Sequence, residues 1–191
     1  MKQNLATAAH DFARERLGEN SGAFVVDATA GNGHDTVFLA KLVGARGRVA
    51  AFDVQPDALA ATRKRLEENG LGGNVDLILC GHEKMADALP PAWRGNVRAI
   101  FFNLGYLPKS DRAVKTSATT TLPALDAAMA LLAPGGIVSL TVYTRHAGGF
   151  EESAAVAAWL ENLRARGNAK IFQIGSHNPV EPWWAGAEIS E

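Results

Sequence analysis

The stretch Phe24-Val25-Val26-Asp27-Ala28-Thr29-Ala30-Gly31-Asn32-Gly33-His34-Asp35-Thr36 decides the fold. Its first four residues are an apolar run of strand length that ends on an acid. Its last residues open a helical pattern over 34–43, with Val37, Phe38 and Leu42 on one face and Gly44 as the stop. Small residues fill the turn between them. They let a ligand approach the backbone, and the helix start presents free N–H groups.

Outward from this unit, the same alternation recurs. Strands are expected over 24–27, 48–53, 75–80, 97–103 and 137–143. Helices are expected over 4–17, 34–43, 56–68, 121–132 and 151–166, with a short helical stretch ending at Leu89. Residues 104–118 read as an irregular polar loop. Two last strands, 170–175 and 183–189, follow one another without a helix and read as a hairpin. Repeated strand–helix units imply a doubly wound α/β sheet, mostly parallel, with helices on both faces. The terminal hairpin adds one antiparallel strand at the edge. A single domain over 1–191 is expected: a leading helix within 1–20, a ligand-binding core over 24–143, and a C-terminal helix and hairpin over 144–191.

Composition narrows the function. The chain has 191 residues, 47% hydrophobic and 20% charged, the balance of an ordinary soluble globular protein. Its net charge is -1, so no global basic field captures nucleic acid, and RNA binding needs a local patch. The single cysteine, Cys80, excludes an internal disulfide and a cysteine zinc cluster, and it reads as a buried core residue. The five histidines lack metal-ligand spacing, so no metal is expected. Residues 1–18 lack the apolar stretch of a signal peptide, and no window reaches a membrane span; a cytoplasmic protein is expected.

Asp53 ends the second strand, 20 positions after Gly33. A carboxylate there can accept two hydrogen bonds from ribose hydroxyls. That arrangement suits a dinucleotide or S-adenosylmethionine. Three details favour the methyl donor. The glycine pattern is Gly31-x-Gly33-x-x-Thr36, so the third glycine of the dinucleotide fingerprint is missing. Asp27 stands where it can help hold an ammonium group. A pyrophosphate would be repelled by Asp27 and Asp35. The candidate donor-binding residues are therefore Asp27, Thr29, Gly31, Asn32, Gly33, His34 and Asp53. Gln55 and His82 join them on the adenosine side.

Strand four runs into Asn103-Leu104-Gly105-Tyr106. Amine and amide methyltransferases carry Asn/Asp-Pro-Pro-Tyr/Phe at this point, and the stretch looks like a variant of it. In-line transfer to an amine needs the nitrogen lone pair aimed along the sulfur–methyl bond. The Asn103 side-chain oxygen and the Leu104 carbonyl can accept the amine N–H groups, and Tyr106 can stack on a flat base. Asn103 and Leu104 also lie where the donor would be held. Such orientation supplies on the order of 7–11 kcal/mol in ideal cases. The amine must lose a proton first, and His34, Asp35, Tyr143 and His146 are all candidates to take it.

Asp27 to Thr36, with Asn103-Leu104-Gly105-Tyr106-Leu107-Pro108, resembles the bacterial rRNA methylase family, whose characterised members are tRNA 5-(aminomethyl)-2-thiouridine methyltransferases. The resemblance runs from about Val25 to Tyr143. It implies a class I methyltransferase fold, S-adenosylmethionine as cofactor, tRNA as partner, and N-methylation of the aminomethyl group on the wobble uridine. Asn103, Tyr106 and Asp35 are then the catalytic candidates. The chain departs from the family at Lys109-Ser110-Asp111-Arg112, where Gly-Gly-Asp-Lys is usual. It departs again at Asn178-Pro179-Val180, where Asn-Pro-Pro is usual.

Lys109, Arg112 and Lys115 form a basic cluster that can contact tRNA phosphates, and Tyr143 and His146 are further substrate-side candidates. Trp183 and Trp184 read as packing residues rather than base-stacking ones. Other readings stay open at this level: rRNA, a protein amine or a small amine as acceptor, a nicotinamide oxidoreductase, or an adenosine-binding module without catalysis. A homodimer is compatible with a chain of this size.

Overall fold

The computed structural model describes residues 4–106, 115–174 and 181–190, with the Ile174 side chain left aside. The elements are α1 (Leu5–Leu17), β1 (Phe24–Asp27), α2 (His34–Val43), β2 (Arg48–Asp53), α3 (Pro56–Glu68), β3 (Val75–Leu79), α4 (Met85–Ala88), β4 (Val97–Leu104), α5 (Ala118–Leu131), β5 (Leu132–Val142), α6 (Gly149–Ala165), β6 (Ala169–Ile174) and β7 (Trp183–Ile189). The seven strands form one sheet in the order β3-β2-β1-β4-β5-β7-β6.

β1 pairs in parallel with β2 on one side and β4 on the other. The chain thus winds outward from β1 to β3, then returns to wind the other way through β4 and β5. This reversal leaves a crevice beyond the carboxyl ends of β1 and β4, where ligands bind in such sheets. The antiparallel strand is β7, one in from the edge expected for it: it slots between β5 and the edge strand β6 and pairs with both.

Neighbouring apolar residues on a strand point to opposite faces, so continuous runs are buried on both sides. Val26, Ile100, Phe102, Leu140 and Trp183 pack in a core with α5 and α6 residues such as Leu125, Leu131, Val156 and Leu160. Val25, Ala99, Phe101 and Trp184 pack in a second core with Phe12, Leu39 and Leu66 of α1, α2 and α3. The adjacent tryptophans are both buried, and each indole N–H finds a serine, Trp183 to Ser153 Oγ at 2.9 Å and Trp184 to Ser139 Oγ at 2.9 Å.

Three differences from the sequence reading have local causes. α5 starts at Ala118 rather than 121, because hydrogen bonds tie its first turn together: the Thr120 N–H donates to Ser117 O at 3.0 Å, and the Thr121 N–H at 2.8 Å. The run Ser117 to Thr121 is polar enough to read as loop. β5 starts at Leu132, which pairs with Val97 before Pro134-Gly135-Gly136 shifts the register and Ile137 pairs with Ala99. Cys80 lies just beyond β3, partly exposed rather than buried, because β3 is the sheet's edge strand. No described helix is long and apolar enough to cross a membrane.

Candidate active site

The loop after β1 is held from beneath by Asp27. Its carboxylate is fully buried and accepts the Thr36 hydroxyl at 2.6 Å and the Thr29 N–H at 3.2 Å. Thr36 stands at the third glycine position of a dinucleotide fingerprint, and there it closes the first turn of α2 onto Asp27. Burial, followed by the charge of Asp35, pushes the Asp27 carboxyl up to about 7. Asp27 therefore sits under the loop, buried and away from the cavity wall.

α3 clamps the loop from outside. Thr62 donates its hydroxyl to Gly31 O at 3.1 Å, and Arg65 donates to Asn32 O at 2.6 Å. Gly33 has φ of 77°, and a Cβ there would lie 2.8 Å from Thr62 Cα. Only glycine satisfies both the left-handed backbone and the close approach. Neither Thr62 nor Arg65 was expected at the site; their spacing on α3 carries no signal beyond an ordinary helix face.

Asp53 faces this loop from the end of β2. It accepts the Gly31 N–H at 2.9 Å through one oxygen and the Gln55 N–H at 2.9 Å through the other. Each oxygen keeps a lone pair, so the carboxylate remains able to take a diol. Val54, beside it, is 56% exposed, an apolar surface on the cavity wall. His82 stands edge-on to Phe102 at 5.8 Å, and burial lowers its pKa, which favours the neutral ring.

At the end of β4, two hydrogen bonds fix Asn103. Its N–H donates to Thr29 Oγ1 at 2.7 Å, and its side-chain amide donates to Asp35 Oδ2 at 2.6 Å. The other Asp35 oxygen meets His10 Nε2 of α1 at 2.7 Å. His10 stacks flat on Phe38, with ring centroids 3.7 Å apart. With its NH₂ end committed to a carboxylate, Asn103 leaves its carbonyl oxygen as the acceptor for an incoming donor. His10 was not expected; a lone histidine on an amphipathic helix looks like a packing residue until α1 is laid across α2.

These groups surround a cavity of about 800 Å³. Of the expected residues, Thr29, Gly31, Asn32, His34, Asp35, Asp53, Gln55, His82, Asn103, Tyr106, Lys115 and Tyr143 line it. Cys80 lines it too. Leu104 is not among them: its side chain is buried, and its carbonyl accepts the Tyr143 N–H at 2.8 Å. His146 lies on an adjoining smaller cavity. Lys109 and Arg112 lie outside the described residues.

The residues present fit S-adenosylmethionine. Asp53 offers a carboxylate for a ribose diol. Val54, Cys80, Gly81 and His82 flank a slot for a flat base. The loop over 28–32 leads from there to Asn103. No group of three or more His, Cys, Asp or Glu that could hold a metal occurs among the described residues.

Sheet order, glycine loop and carboxylate together define the class I S-adenosylmethionine-dependent methyltransferase fold. The chain belongs to the family described as "Putative rRNA methylase", whose model matches residues 49–182. It is 42% identical to the "tRNA (mnm(5)s(2)U34)-methyltransferase, chloroplastic" of Arabidopsis thaliana, over 74% of this chain and 54% of that one. The chain spans about half the length of the curated relatives it matches. Among solved structures, a "putative rRNA-methylase" from Clostridium thermocellum superposes with a TM-score of 0.88 at 37% identity, covering 99% of both chains. A "putative methyltransferase" from Streptococcus mutans, in complex with SAH, superposes with a TM-score of 0.82 at 34% identity, again covering 99% of both.

Proposed function

We propose that the protein is an S-adenosylmethionine-dependent N-methyltransferase that methylates the aminomethyl group of 5-aminomethyl-2-thiouridine at the tRNA wobble position. The observation that carries this reading is the Asp35–Asn103 hydrogen bond at the end of β4, which commits the amide NH₂ and leaves the oxygen as the acceptor of a residue that lines the cavity with Tyr106. The chloroplastic relative's name supports the same substrate.

When bound, S-adenosylmethionine supplies a methyl group on a positively charged sulfur. The chain's own residues do the rest. The loop over 28–32 and Asp53 hold the donor at the ends of β1 and β2. Tyr106 and Tyr143 give the cavity flat aromatic walls for a pyrimidine. The Asn103 carbonyl oxygen accepts one N–H of the amine and directs its lone pair. An alkylamine arrives protonated, so its proton must leave before attack. Asp35 takes it, and His10, bonded to Asp35 and with a side chain 22% exposed, passes it toward water. Asp35 also stabilises the charged methylammonium product.

The test is methyl transfer from labelled S-adenosylmethionine to bulk tRNA from cells lacking this gene, followed by nucleoside analysis. Label in 5-methylaminomethyl-2-thiouridine alone is expected. Label that appears only in ribosomal RNA, or only in a protein fraction, overturns the substrate.

A further inference from the structure

Next to the main cavity lies a second, of about 240 Å³, walled by Tyr106, Lys115, Arg145, His146 and Ala147. Tyr106, Lys115 and Arg145 line both, so the two are adjoining compartments with Tyr106 in the shared wall. An antiparallel bridge holds Tyr106 opposite Lys115, and the Thr116 N–H donates to Gly105 O at 2.8 Å. Arg145 and His146 arrive from the turn after β5. His146 meets the Tyr106 ring edge-on, with centroids 6.2 Å apart and planes at 84°.

The small compartment therefore carries two side chains that are cationic at neutral pH, and its wall holds no carboxylate among the described residues. Glu152 is fully buried, with a carboxylate oxygen 3.8 Å from His146 Nε2. Its two oxygens accept the Thr116 hydroxyl at 2.8 Å and the Thr121 hydroxyl at 2.6 Å. Glu152 thus braces the wall from behind and does not itself face the compartment.

A concave site lined by Lys and Arg selects an oxyanion. Its neighbour is an aromatic wall of a cavity suited to a flat base. In a polynucleotide, the anion found at that short distance from a base is the backbone phosphate of the same nucleotide or the next. We propose that Lys115 and Arg145 bind a phosphodiester flanking the nucleoside that is methylated. The inference rests on RNA being the acceptor. It adds Arg145 to the site and separates recognition of the chain from recognition of the amine.

The test uses a fluorescently labelled anticodon stem-loop RNA, with binding followed by anisotropy across a salt series. Arg145→Gln and Lys115→Gln should each weaken binding about 3- to 30-fold and reduce the slope of log K against log salt by about 1. Unchanged melting temperatures show that both variants fold. Stem-loops carrying a neutral methylphosphonate at one linkage beside the wobble nucleoside give a second readout. One such substitution should weaken the wild type as Arg145→Gln does, with little further loss when the two are combined. If wild type binds and methylates RNA while both variants keep its affinity and salt slope, this inference fails and the proposed function stands. Full additivity of the two changes at every flanking linkage also overturns it. A wild type that neither binds nor methylates RNA removes the proposed function and this inference with it.

Discussion

Asp35 Oδ2 accepts the Asn103 side-chain amide at 2.6 Å, joining the first turn of α2 to the last residues of β4. The two residues lie 68 positions apart, and the bond fixes which end of the Asn103 amide meets the carboxylate. Replacing Asn103 with Asp sets two carboxylates against each other and removes the donor that turns the acceptor oxygen outward. Methyl transfer by Asn103→Asp should fall about 100-fold or more, since small misplacements of reacting groups cost that much. Donor affinity, measured by calorimetry with S-adenosylhomocysteine, should change far less. Equal losses in both would mean that Asn103 serves the donor and not the amine.

In the proposed reaction His10 acts on the amine through Asp35, which it meets at 2.7 Å. Changing it to Phe keeps the stack on Phe38 and deletes the bond to Asp35. A fall in kcat of roughly tenfold is expected, with KM for RNA nearly constant and the alkaline rise of the pH–rate profile displaced. A pH profile identical to that of the wild type would reduce His10 to packing.

Asp27 makes stability depend on pH in an unusual direction. Its carboxyl is raised from 3.8 to about 7, chiefly by burial, so the folded chain holds this proton more tightly than the unfolded one. Its contribution is complete below about pH 4, declines as pH rises toward 7, and is constant above. Asp27→Asn removes this proton, so the difference in melting temperature between wild type and variant should change steadily from pH 4 to 7. Buried His82 works in the opposite direction on the acid side, because its pKa is lowered. The difference between the two proteins isolates Asp27, and parallel melting curves would contradict its assigned state.

Gly33→Ala forces a Cβ into Thr62 at a left-handed backbone position. The conformation alone costs about 1–2 kcal/mol, and the clash adds to it. Lower stability and weaker donor binding should appear together in denaturation and calorimetry. An alanine variant with wild-type values for both would show that the loop is free to move away from α3.

Glu152→Ala leaves the buried Thr121 hydroxyl without its acceptor, at about 1–3 kcal/mol for a buried group left unpaired, while the partly exposed Thr116 hydroxyl keeps Gly105 O at 3.4 Å. Glu152→Gln keeps an acceptor and should recover part of the loss. Chemical denaturation distinguishes the two, and equal stability of Ala and Gln variants would refute the bracing role.

The strand–loop–helix unit and Asp53 were legible because the chemistry there is local: small residues in a turn, an acid at a strand end. Most element boundaries followed from apolar periodicity. Long-range partners left no such trace. Thr62, Arg65 and His10 look like ordinary helix residues until the sheet brings α3 and α1 against the loop. Asp27 was placed correctly at the strand end, but its burial depends on Thr36 folding back over it. The sequence pattern around Leu104 gave no sign that its carbonyl also accepts the Tyr143 N–H. Arg145 was hidden for the same reason, since only the β5 turn carries it next to Tyr106.

The acceptor proposed for this site is an aminomethyl nitrogen. Two synthetic anticodon stem-loops test it, one carrying 5-aminomethyl-2-thiouridine at the wobble position and the other plain 2-thiouridine. Each is incubated with the protein and S-adenosylmethionine, then weighed by mass spectrometry. One added methyl group on the first and none on the second is the expected result. A methyl group added to both would place the reaction on the ring, the sulfur or the ribose, and would contradict the role given to Asn103 and Asp35.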